Sequence, residues 1–493
     1  MEIMNRCYTH AKKRPVKIVQ FGEGNFLRAF VDYMVDIANE ENVFDGSIAI
    51  VKPISYGNID LFTKQECQYS VLLRGLVDNE EYVEKRMITS VDSICDCTTD
   101  YEAYLSLARI ETVKYIVSNT TEAGIKCDET DKFEDKPAKS YPAKLTQFLY
   151  ERAETFNYDS TKGLIMLPVE LIDNNGDELK KCVYETMDRW NLKSEFKDWV
   201  KESCIFANTL VDRIVTGYPK NEIEEIWEQE GVQDELMVTA EPFALWVIES
   251  DKPINDEFPL DKALENKKGM SVIFTDNHKP YKQRKVRILN GAHTSFSLAS
   301  FLSGNDTVLE SMNDPVTFGF MNKTIYEEII PTLDLPKEDL LNFANQVESR
   351  FKNPFIRHEL LSISLNSVSK WKARCYPSVK RYIEMNHELP SNLTFSLAAL
   401  LCFYQGIRKE MGYLVGIRNE HEYRIQDDED ILNFFYENKD VDNLELVQRF
   451  FNKTNLFSDV ELKEESIMKI SKYITDIKIK GIAQCIKEEH LYG

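Results

Sequence analysis

Short apolar, β-prone runs recur along the first half of the chain. They lie at residues 16–21, 47–51, 113–117, 163–167 and 272–274. Longer stretches with apolar residues at helical spacing lie between them, among them residues 142–156 and 176–202. Buried strands that alternate with amphipathic helices are typical of a parallel sheet with helices on both faces. The first half is therefore predicted to be an α/β domain.

The strand signal fades after Asn290, and helical spacing takes over. Amphipathic helices are predicted at residues 296–302, 317–330, 337–350, 356–369, 393–406, 428–437 and 444–451, and a charged final helix at 461–490. The predicted fold class is α/β. A Rossmann-type, doubly wound N-terminal domain (residues 1–272) is followed by a mostly α-helical C-terminal domain (residues 273–493).

The composition agrees with a soluble globular chain of more than one domain. The chain has 493 residues, of which 43% are hydrophobic and 29% charged. No apolar run is long enough to span a bilayer, and residues 1–14 lack the apolar core of a secretion signal. The 10 cysteines include no C-x-x-C pair. We therefore predict a cytoplasmic protein with reduced thiols and no membrane partner.

The charge balance directs attention to one basic segment. A formal net charge of -22 argues against nucleic acid as a partner. Residues 279–287 nevertheless carry five cations and no acid, namely Lys279, Lys282, Arg284, Lys285 and Arg287. Like charges placed together cost free energy unless something negative is bound nearby. The segment predicts an anion site; the alternative is a solvated basic patch that leads into a core helix.

An amide and an imidazole follow this basic segment. Asn290 and His293 are three residues apart, so on a helix they share a face. A lysine can take a proton from an alcohol, and an amide and an imidazole can hold the oxygen. The chain has only seven histidines and no cluster with the spacing of a zinc site, so we predict no metal. Lys285, Asn290 and His293 are the candidate catalytic residues.

A glycine turn follows the first predicted strand. Gly22 and Gly24 stand between that strand and a helix, which is the context of a dinucleotide-binding fingerprint. Gly22 would permit a tight turn, and Gly24 would let the backbone approach a pyrophosphate. The third glycine position holds Leu27, and the nearest small residue is Ala29. A plain strand-to-helix turn remains the alternative interpretation.

The ends of the next strands bear on the cofactor. Lys52 and Pro53 stand where the acid that binds the ribose is expected, so the fingerprint does not separate NAD from NADP. The polar residues 118–124 follow the strand at 113–117. The carboxyl ends of parallel strands are where an open α/β sheet binds its ligand, although an ordinary capped turn has the same composition.

Together these motifs resemble the mannitol dehydrogenase family of long-chain polyol dehydrogenases. The resemblance is carried by the glycine turn at residues 21–29, by Leu210-Val211-Asp212-Arg213, and by Lys285-x4-Asn290-x2-His293. Residues 118–125, 170–173, 215–219 and 353–356 resemble, more narrowly, the hexuronate branch of that family. The matches run from about residue 16 to beyond residue 350, which is most of the chain.

The resemblance implies a zinc-independent, nicotinamide-dependent alcohol dehydrogenase. It assigns the catalytic lysine to Lys285 and its partners to Asn290 and His293, and it adds Asn208 as a group that helps to hold the reacting oxygen. The cofactor is expected to be NAD, bound by Ile18, Gln20, Phe21, Gly22, Glu23, Gly24, Asn25, Phe26, Leu27, Arg28, Ala29, Asn119 and Thr120.

The substrate expected from that branch is a small sugar acid, with D-tagaturonate and D-altronate interconverted. Arg357 and Lys370 are further candidates for its carboxylate, although exposed basic residues are common on any surface. Within the family the alternatives are fructuronate/mannonate and mannitol/fructose. An alternative of another class is a non-catalytic dinucleotide-binding sensor, which would not need Lys285, Asn290 and His293.

Overall fold

The computed structural model describes residues 1–120, 124–460 and 462–492. The chain divides into two compact units, Met1–His278 and Lys279–Gly493. The sequence placed the boundary between residues 272 and 273, which falls inside the strand Met270–Thr275. That strand pairs in parallel with Ala244–Glu249, and so it belongs to the first unit.

The first unit is built on a parallel sheet of six strands among the described residues. In order across the sheet, the strands are Val91–Asp96, Ser47–Lys52, Val16–Phe21, Tyr115–Ser118, Ile165–Pro168 and Ile205–Phe206. The strand before the glycine turn lies inside the sheet, with Phe21 opposite Val51 on one side and Ser118 on the other. This arrangement confirms the doubly wound α/β prediction.

Helices cover both faces of this sheet. In chain order the helical segments are Arg6–Thr9, Asn25–Leu27, the π-helical Arg28–Asp32, Tyr33–Glu40, Asp60–Lys64, Tyr101–Ala108, Tyr141–Thr155, the 3-10 turn Ser160–Lys162, Asn175–Arg189, Ser194–Ser203, Ile223–Glu230 and Leu260–Leu264. Successive strand residues point to opposite faces. Ile18 therefore packs in one core with Phe30 and Trp246, while Val19 packs in a second core with Phe148.

Smaller sheets complete the first unit, and most of their strands were not predicted. They are the four-stranded sheet Val215–Gly217, Val238–Ala240, Tyr69–Val77 and Glu80–Ile88, the three-stranded sheet Asn208–Asp212, Ala244–Glu249 and Met270–Thr275, and the pair Glu2–Ile3 with Val232–Gln233.

The second unit is mostly helical, as predicted. Its helical segments are Lys279–Arg284, the π-helical Lys285–Asn290, Gly291–Ser303, Val308–Asn313, Pro315–Lys323, the π-helical Thr324–Ile329, the 3-10 turn Ile330–Thr332, Lys337–Phe351, Leu360–Ile363, Ser367–Arg374, Tyr376–Asn386, Ser391–Phe403, Glu429–Glu437, Asn443–Thr454, Glu464–Lys480 and Ile482–Glu488. Within the residues described, no helix has both the length and the apolarity needed to cross a membrane.

The second unit differs from the prediction in three places. The expected helix at 356–369 is two short helices, because Asn366 adopts a left-handed conformation with φ 54° between them. An antiparallel sheet of Arg408–Glu410, Tyr413–Arg418 and His421–Ile425 was not predicted. The single charged helix predicted at 461–490 is two helices, Glu464–Lys480 and Ile482–Glu488, with Gly481 at φ +80° between them; Glu461, where the prediction started, lies outside the described residues.

Candidate active site

The glycine turn has the geometry of a ligand cradle. Gly22 has φ +122°, a backbone conformation that residues other than glycine rarely adopt. Gly24 is exposed, and a Cβ atom built on it meets no atom of the described residues within 4 Å. No side chain of the described residues caps the helix that starts at Asn25, so none of these side chains accepts its first N–H groups. Such a helix start favours an anion.

Leu27 explains why the third fingerprint glycine is missing. A Cβ atom on Gly22 would lie 3.2 Å from Leu27 Cδ1 and 3.2 Å from the Asn119 carbonyl oxygen. The buried leucine thus fills the space over Gly22 where a side chain has no room. The fingerprint requires the helix to pack closely on the strand. Here Leu27 on the helix packs against Gly22 at the end of the strand.

The predicted cofactor residues fall into two groups. Glu23, Gly24, Asn25, Phe26, Asn119 and Thr120 are at least partly exposed, whereas Ile18, Gln20, Phe21, Gly22, Leu27, Arg28 and Ala29 are buried. Arg28 is directed into the fold: it donates to Asn25 Oδ1 at 2.5 Å and to the Leu236 carbonyl oxygen. Gln20 donates to the Gly22 carbonyl oxygen at 3.2 Å. The buried group therefore shapes the turn, and the exposed group is available to a ligand.

A buried carboxylate joins the ends of the next two strands. Glu170 accepts the Thr120 N–H at 3.0 Å, the Thr120 hydroxyl at 2.9 Å and the Ser118 hydroxyl at 3.1 Å. These bonds fix the backbone of Asn119 and Thr120 next to Gly22. The remaining residues of the polar segment, Thr121, Glu122 and Ala123, lie outside the described part of the chain.

Lys52, which replaces the expected ribose-binding acid, is neutralised within the fold. Its buried Nζ lies 2.8 Å from Asp96 Oδ2, on the neighbouring strand, and also donates to the Ile54 carbonyl oxygen. Because Asp96 follows Lys52 by many residues, sequence reasoning could not pair them. At the end of the second strand, the positive charge of Lys52 is therefore paired with the negative charge of Asp96.

A cavity of about 450 Å³ opens at this same edge of the sheet. Its lining includes Pro53 and Ile54 after the second strand, Thr120 after the third, and Ser140 at the start of the helix Tyr141–Thr155. Lys126, Lys139 and Lys144 also line it. A space at the carboxyl ends of the central strands is where a doubly wound sheet accepts a dinucleotide.

Beneath the glycine-turn helix lies a buried carboxyl group, Asp32. Its Oδ2 accepts the Tyr69 hydroxyl at 2.6 Å and Gln20 Nε2 at 3.5 Å, while no partner reaches Oδ1 among the described residues. Burial raises the pKa of Asp32 to about 7, against the opposing effects of Tyr69 and Arg28. Asp32 would lose its proton as the pH rises through neutrality, and the surrounding groups compensate the resulting negative charge only in part.

We expect Asp32 to make the protein less stable as the pH rises. A carboxyl group whose pKa is raised in the folded state stabilises the fold below its unfolded pKa, and this contribution is lost as the pH rises to about 7. Relative to Asp32→Asn, the wild-type free energy of unfolding should fall by up to about 4 kcal/mol between pH 4 and pH 8. Urea unfolding across this range measures it. The exposed Asp45→Asn serves as a control with a flat difference, and an equally flat difference for Asp32→Asn would contradict the expectation.

The three candidate catalytic residues of the second unit lie on one continuous helical stretch. Lys285–Asn290 is π-helical, and Gly291–Ser303 continues as an α-helix. A π-helix bonds each residue to the one five positions away, which brings Lys285 and Asn290 towards the same face. In the α-helix that follows, Asn290 and His293 are three apart and also share a face. The spacing of five and then three residues thus matches the change of helix type.

His293 is held among aromatic and basic side chains. Its ring stacks on Phe351 with centroids 4.1 Å apart, and meets the ring of His358 edge-on at 5.1 Å. Burial lowers the pKa of His293 well below its ordinary value, and the nearby positive charges of His358 and Arg350 add to this effect. The imidazole is therefore neutral near pH 7. Its buried Nε2 has no hydrogen-bond partner among the described residues.

Asn208 lies in the first unit, in a network that the sequence did not reveal. Its Nδ2 donates to Asp177 Oδ2 at 3.1 Å and to Glu249 Oε1 at 3.0 Å, and its Oδ1 accepts the Asp177 N–H at 3.0 Å. Glu249 also accepts the His278 N–H at 2.6 Å. Both amide hydrogens of Asn208 are thus engaged, and a contact with a substrate requires one of these bonds to be exchanged.

Two family models match consecutive parts of this chain. The Mannitol dehydrogenase Rossmann domain matches residues 16–262, and the Mannitol dehydrogenase C-terminal domain matches residues 277–478. The chain belongs to the mannitol dehydrogenase family. It is an oxidoreductase by that membership, and the resemblance noted from the glycine turn and the Lys285 motif is confirmed.

Relatives within the family cover nearly the whole chain. It is 44% identical over 414 residues to an altronate oxidoreductase of Yersinia enterocolitica, covering 84% of this chain and 85% of the relative. It is 39% identical over 498 residues to an altronate oxidoreductase of Bacillus subtilis, covering 100% of this chain and 99% of the relative.

Solved structures of more distant proteins share the fold. Substrate-free D-sorbitol dehydrogenase superposes with a TM-score of 0.79 at 22% identity, over 98% of this chain and 100% of that one. Pseudomonas fluorescens mannitol 2-dehydrogenase, in a ternary complex with NAD and D-mannitol, gives 0.67 at 20% identity, over 99% of each chain. These similarities confirm the predicted fold class.

Proposed function

We propose that this chain is an NAD-dependent oxidoreductase that interconverts D-tagaturonate and D-altronate, with Lys285 as the general acid and base. The observation that carries the proposal is the helical stretch on which Lys285, Asn290 and His293 share a face. The substrate assignment is supported by the name of the relatives that are 44% and 39% identical to the chain, altronate oxidoreductase.

Each of the three side chains has a distinct task in this proposal. In alcohol oxidation, neutral Lys285 takes the proton of the substrate hydroxyl; in ketone reduction, its ammonium form returns that proton. Asn290 donates a hydrogen bond to the same oxygen as negative charge develops on it. His293 is kept neutral by burial, and its Nε2 has no hydrogen-bond partner among the residues described, so an N–H there can be a second donor.

The first unit fits the nicotinamide cofactor that the family implies. Open space over Gly24, the uncapped helix start and the cavity at the strand ends are the features a pyrophosphate and an adenosine require. When bound, NAD accepts or delivers the hydride. A preference over NADP is supported by Lys52, whose charge Asp96 already neutralises, so that it offers little to a further phosphate.

A panel of substrates tests the proposal. With NADH, kcat/KM for D-tagaturonate should exceed that for the neutral ketose D-fructose by on the order of 10²- to 10⁴-fold, because a site that pairs with a carboxylate is left with unpaired charge by a neutral sugar. D-fructuronate should be the weaker of the two keto-acids, and NADPH the weaker cofactor. Loss of reduced-cofactor absorbance measures all of these rates.

Each alternative gives a different result on the same panel. Equal efficiency on D-tagaturonate and D-fructose would contradict the sugar-acid assignment. A preference for D-fructuronate would move the substrate pair to fructuronate and mannonate. Tight NADH binding without turnover of any ketose or keto-acid would favour the non-catalytic sensor.

A further inference from the structure

The imidazole of the candidate catalytic motif and four basic side chains near it form one group in the second unit. We name this group the basic cluster; it consists of His293, Arg350, His358, Lys370 and Arg374. Charge on the other four lowers the pKa of His293, although His358 contributes only when protonated, and burial lowers its own pKa. The two cations Lys370 and Arg374 are half-buried, so their charges are only partly screened by water.

Arg374 lies directly beside the catalytic helix. It ends the helix Ser367–Arg374, and its carbonyl oxygen is 3.4 Å from the position a Cβ atom on Gly291 would take. One of its guanidinium nitrogens lies 3.4 Å from the Thr294 hydroxyl. Gly291 and Thr294 bracket His293, so Arg374 stands within one helical turn of the candidate catalytic face.

Lys370 is placed one turn before Arg374 on the same helix. Residues four apart on a helix share a face, so the two cations are neighbours. The Lys370 ammonium donates to the Ile363 carbonyl oxygen at 3.1 Å. Burial lowers the pKa of Lys370, and the adjacent charge of Arg374 lowers it further. Burial likewise lowers the pKa of Arg374.

Among the described residues, neither Lys370 nor Arg374 forms an ion pair with a carboxylate. Asp427 is the acid whose charge reaches Lys370, but it accepts hydrogen bonds from the Tyr404 hydroxyl and from the Asp428 N–H at 2.8 Å. Partly buried cations without a counter-ion cost free energy, and a bound anion would recover it.

We propose that Lys370 and Arg374 form the site that recognises the carboxylate of the sugar-acid substrate. The location suits one ligand that is a carboxylate at one end and a ketone or alcohol at the other. Its anionic end pairs with the two cations, and its reacting oxygen lies at the Nε2 of His293, an atom that no described residue hydrogen-bonds. The inference rests on the proposed function, since it assigns the residues that separate sugar acids from neutral sugars.

Arg374→Gln and Lys370→Gln test this assignment, with Lys372→Gln as the matched control. Lys372 lies on the same helix and carries the same charge, but it is exposed and donates to the Thr454 carbonyl oxygen. Each cation variant should raise KM for D-tagaturonate on the order of 10- to 100-fold, the strength of a hydrogen bond to a charged group. Turnover of D-tagatose, which lacks the carboxylate, should not fall, because the variants remove a charge that this sugar leaves unpaired. Lys372→Gln should match the wild type with both substrates.

Two results would overturn the assignment. One is an unchanged KM for D-tagaturonate in both cation variants. The other is an equal loss of efficiency on D-tagaturonate and D-tagatose, which indicates a structural role. Arg374→Lys keeps the charge, so a loss in this variant as well would show that the shape of the arginine, and not its charge, is needed for the fold. If the wild type turns over no sugar acid, the proposed function fails. Calorimetric titration with D-altronate, comparing the wild type with Arg374→Gln, still decides whether the cluster binds a carboxylate.

Discussion

Replacing Lys285 by alanine should lower kcat on the order of 10²- to 10⁴-fold, the usual contribution of a general acid–base group. Lysine is the one member of the motif that can be cationic and also give up its proton near neutral pH. Asn290 does not titrate, and His293 has a pKa well below its ordinary value because it is buried. The affinity for NADH should be nearly unchanged, since the predicted cofactor residues belong to the first unit.

The pH profile makes this expectation specific to Lys285. The basic limb of the rate should disappear in Lys285→Ala, and an added primary amine should restore part of the rate. His293→Ala should be slower than the wild type but keep that limb, because a histidine with a depressed pKa cannot produce it. Lys262→Ala, an exposed lysine of the first unit, controls for loss of charge. Near-normal turnover of Lys285→Ala with the limb intact would show that another residue is the base.

The sequence placed the catalytic motif on a helix, but it could not show the geometry that unites it. On an α-helix, residues five apart do not face each other, so Lys285 and Asn290 would diverge. The π-helical turn at Lys285–Asn290 removes this difficulty. Hydrophobic periodicity does not distinguish the two helix types over so few residues, so the sequence alone does not predict this part of the candidate site.

The central sheet was predictable because its strands are apolar on both faces. The run at 16–21 became Val16–Phe21, and the run at 47–51 became Ser47–Lys52. The hairpin strand Glu80–Ile88 was missed for the opposite reason. It contains glutamate, lysine and arginine and is mostly solvated, so pairing with Tyr69–Val77 rather than burial makes it a strand.

Contacts between distant residues account for most of what the sequence did not show. The Lys52–Asp96 ion pair joins neighbouring strands. Asn208 donates hydrogen bonds to Asp177 and Glu249, which lie far from it in the sequence, so no local sequence pattern predicts these contacts. Lys370 was a candidate for the substrate carboxylate from its charge alone. Arg357, the other candidate, is exposed and paired with Glu359 at 2.6 Å, so the structure favours Lys370 of the two.

Replacing Gly24 by valine should abolish measurable NADH binding while leaving the fold intact. The backbone at Gly24 has φ -68° and ψ 162°, which any residue adopts, and within the described part of the chain a Cβ atom there meets no atom within 4 Å. The added side chain would instead occupy the open space over the helix start, where the pyrophosphate is expected to approach the backbone. Gly24→Val should therefore lose affinity for NADH but keep its stability, because the protein without cofactor has room for the valine side chain.

The neighbouring glycine provides the contrast that makes this test informative. At Gly22, φ +122° and contacts of 3.2 Å to Asn119 and Leu27 leave no room for a Cβ atom, so Gly22→Val should lose stability as well as binding. Gly24→Ala should weaken binding less than Gly24→Val, since its side chain is smaller. Fluorescence titration with NADH and thermal unfolding separate the two effects. A Gly24→Val protein that unfolds at the wild-type temperature and binds NADH with wild-type affinity would place the dinucleotide away from this turn.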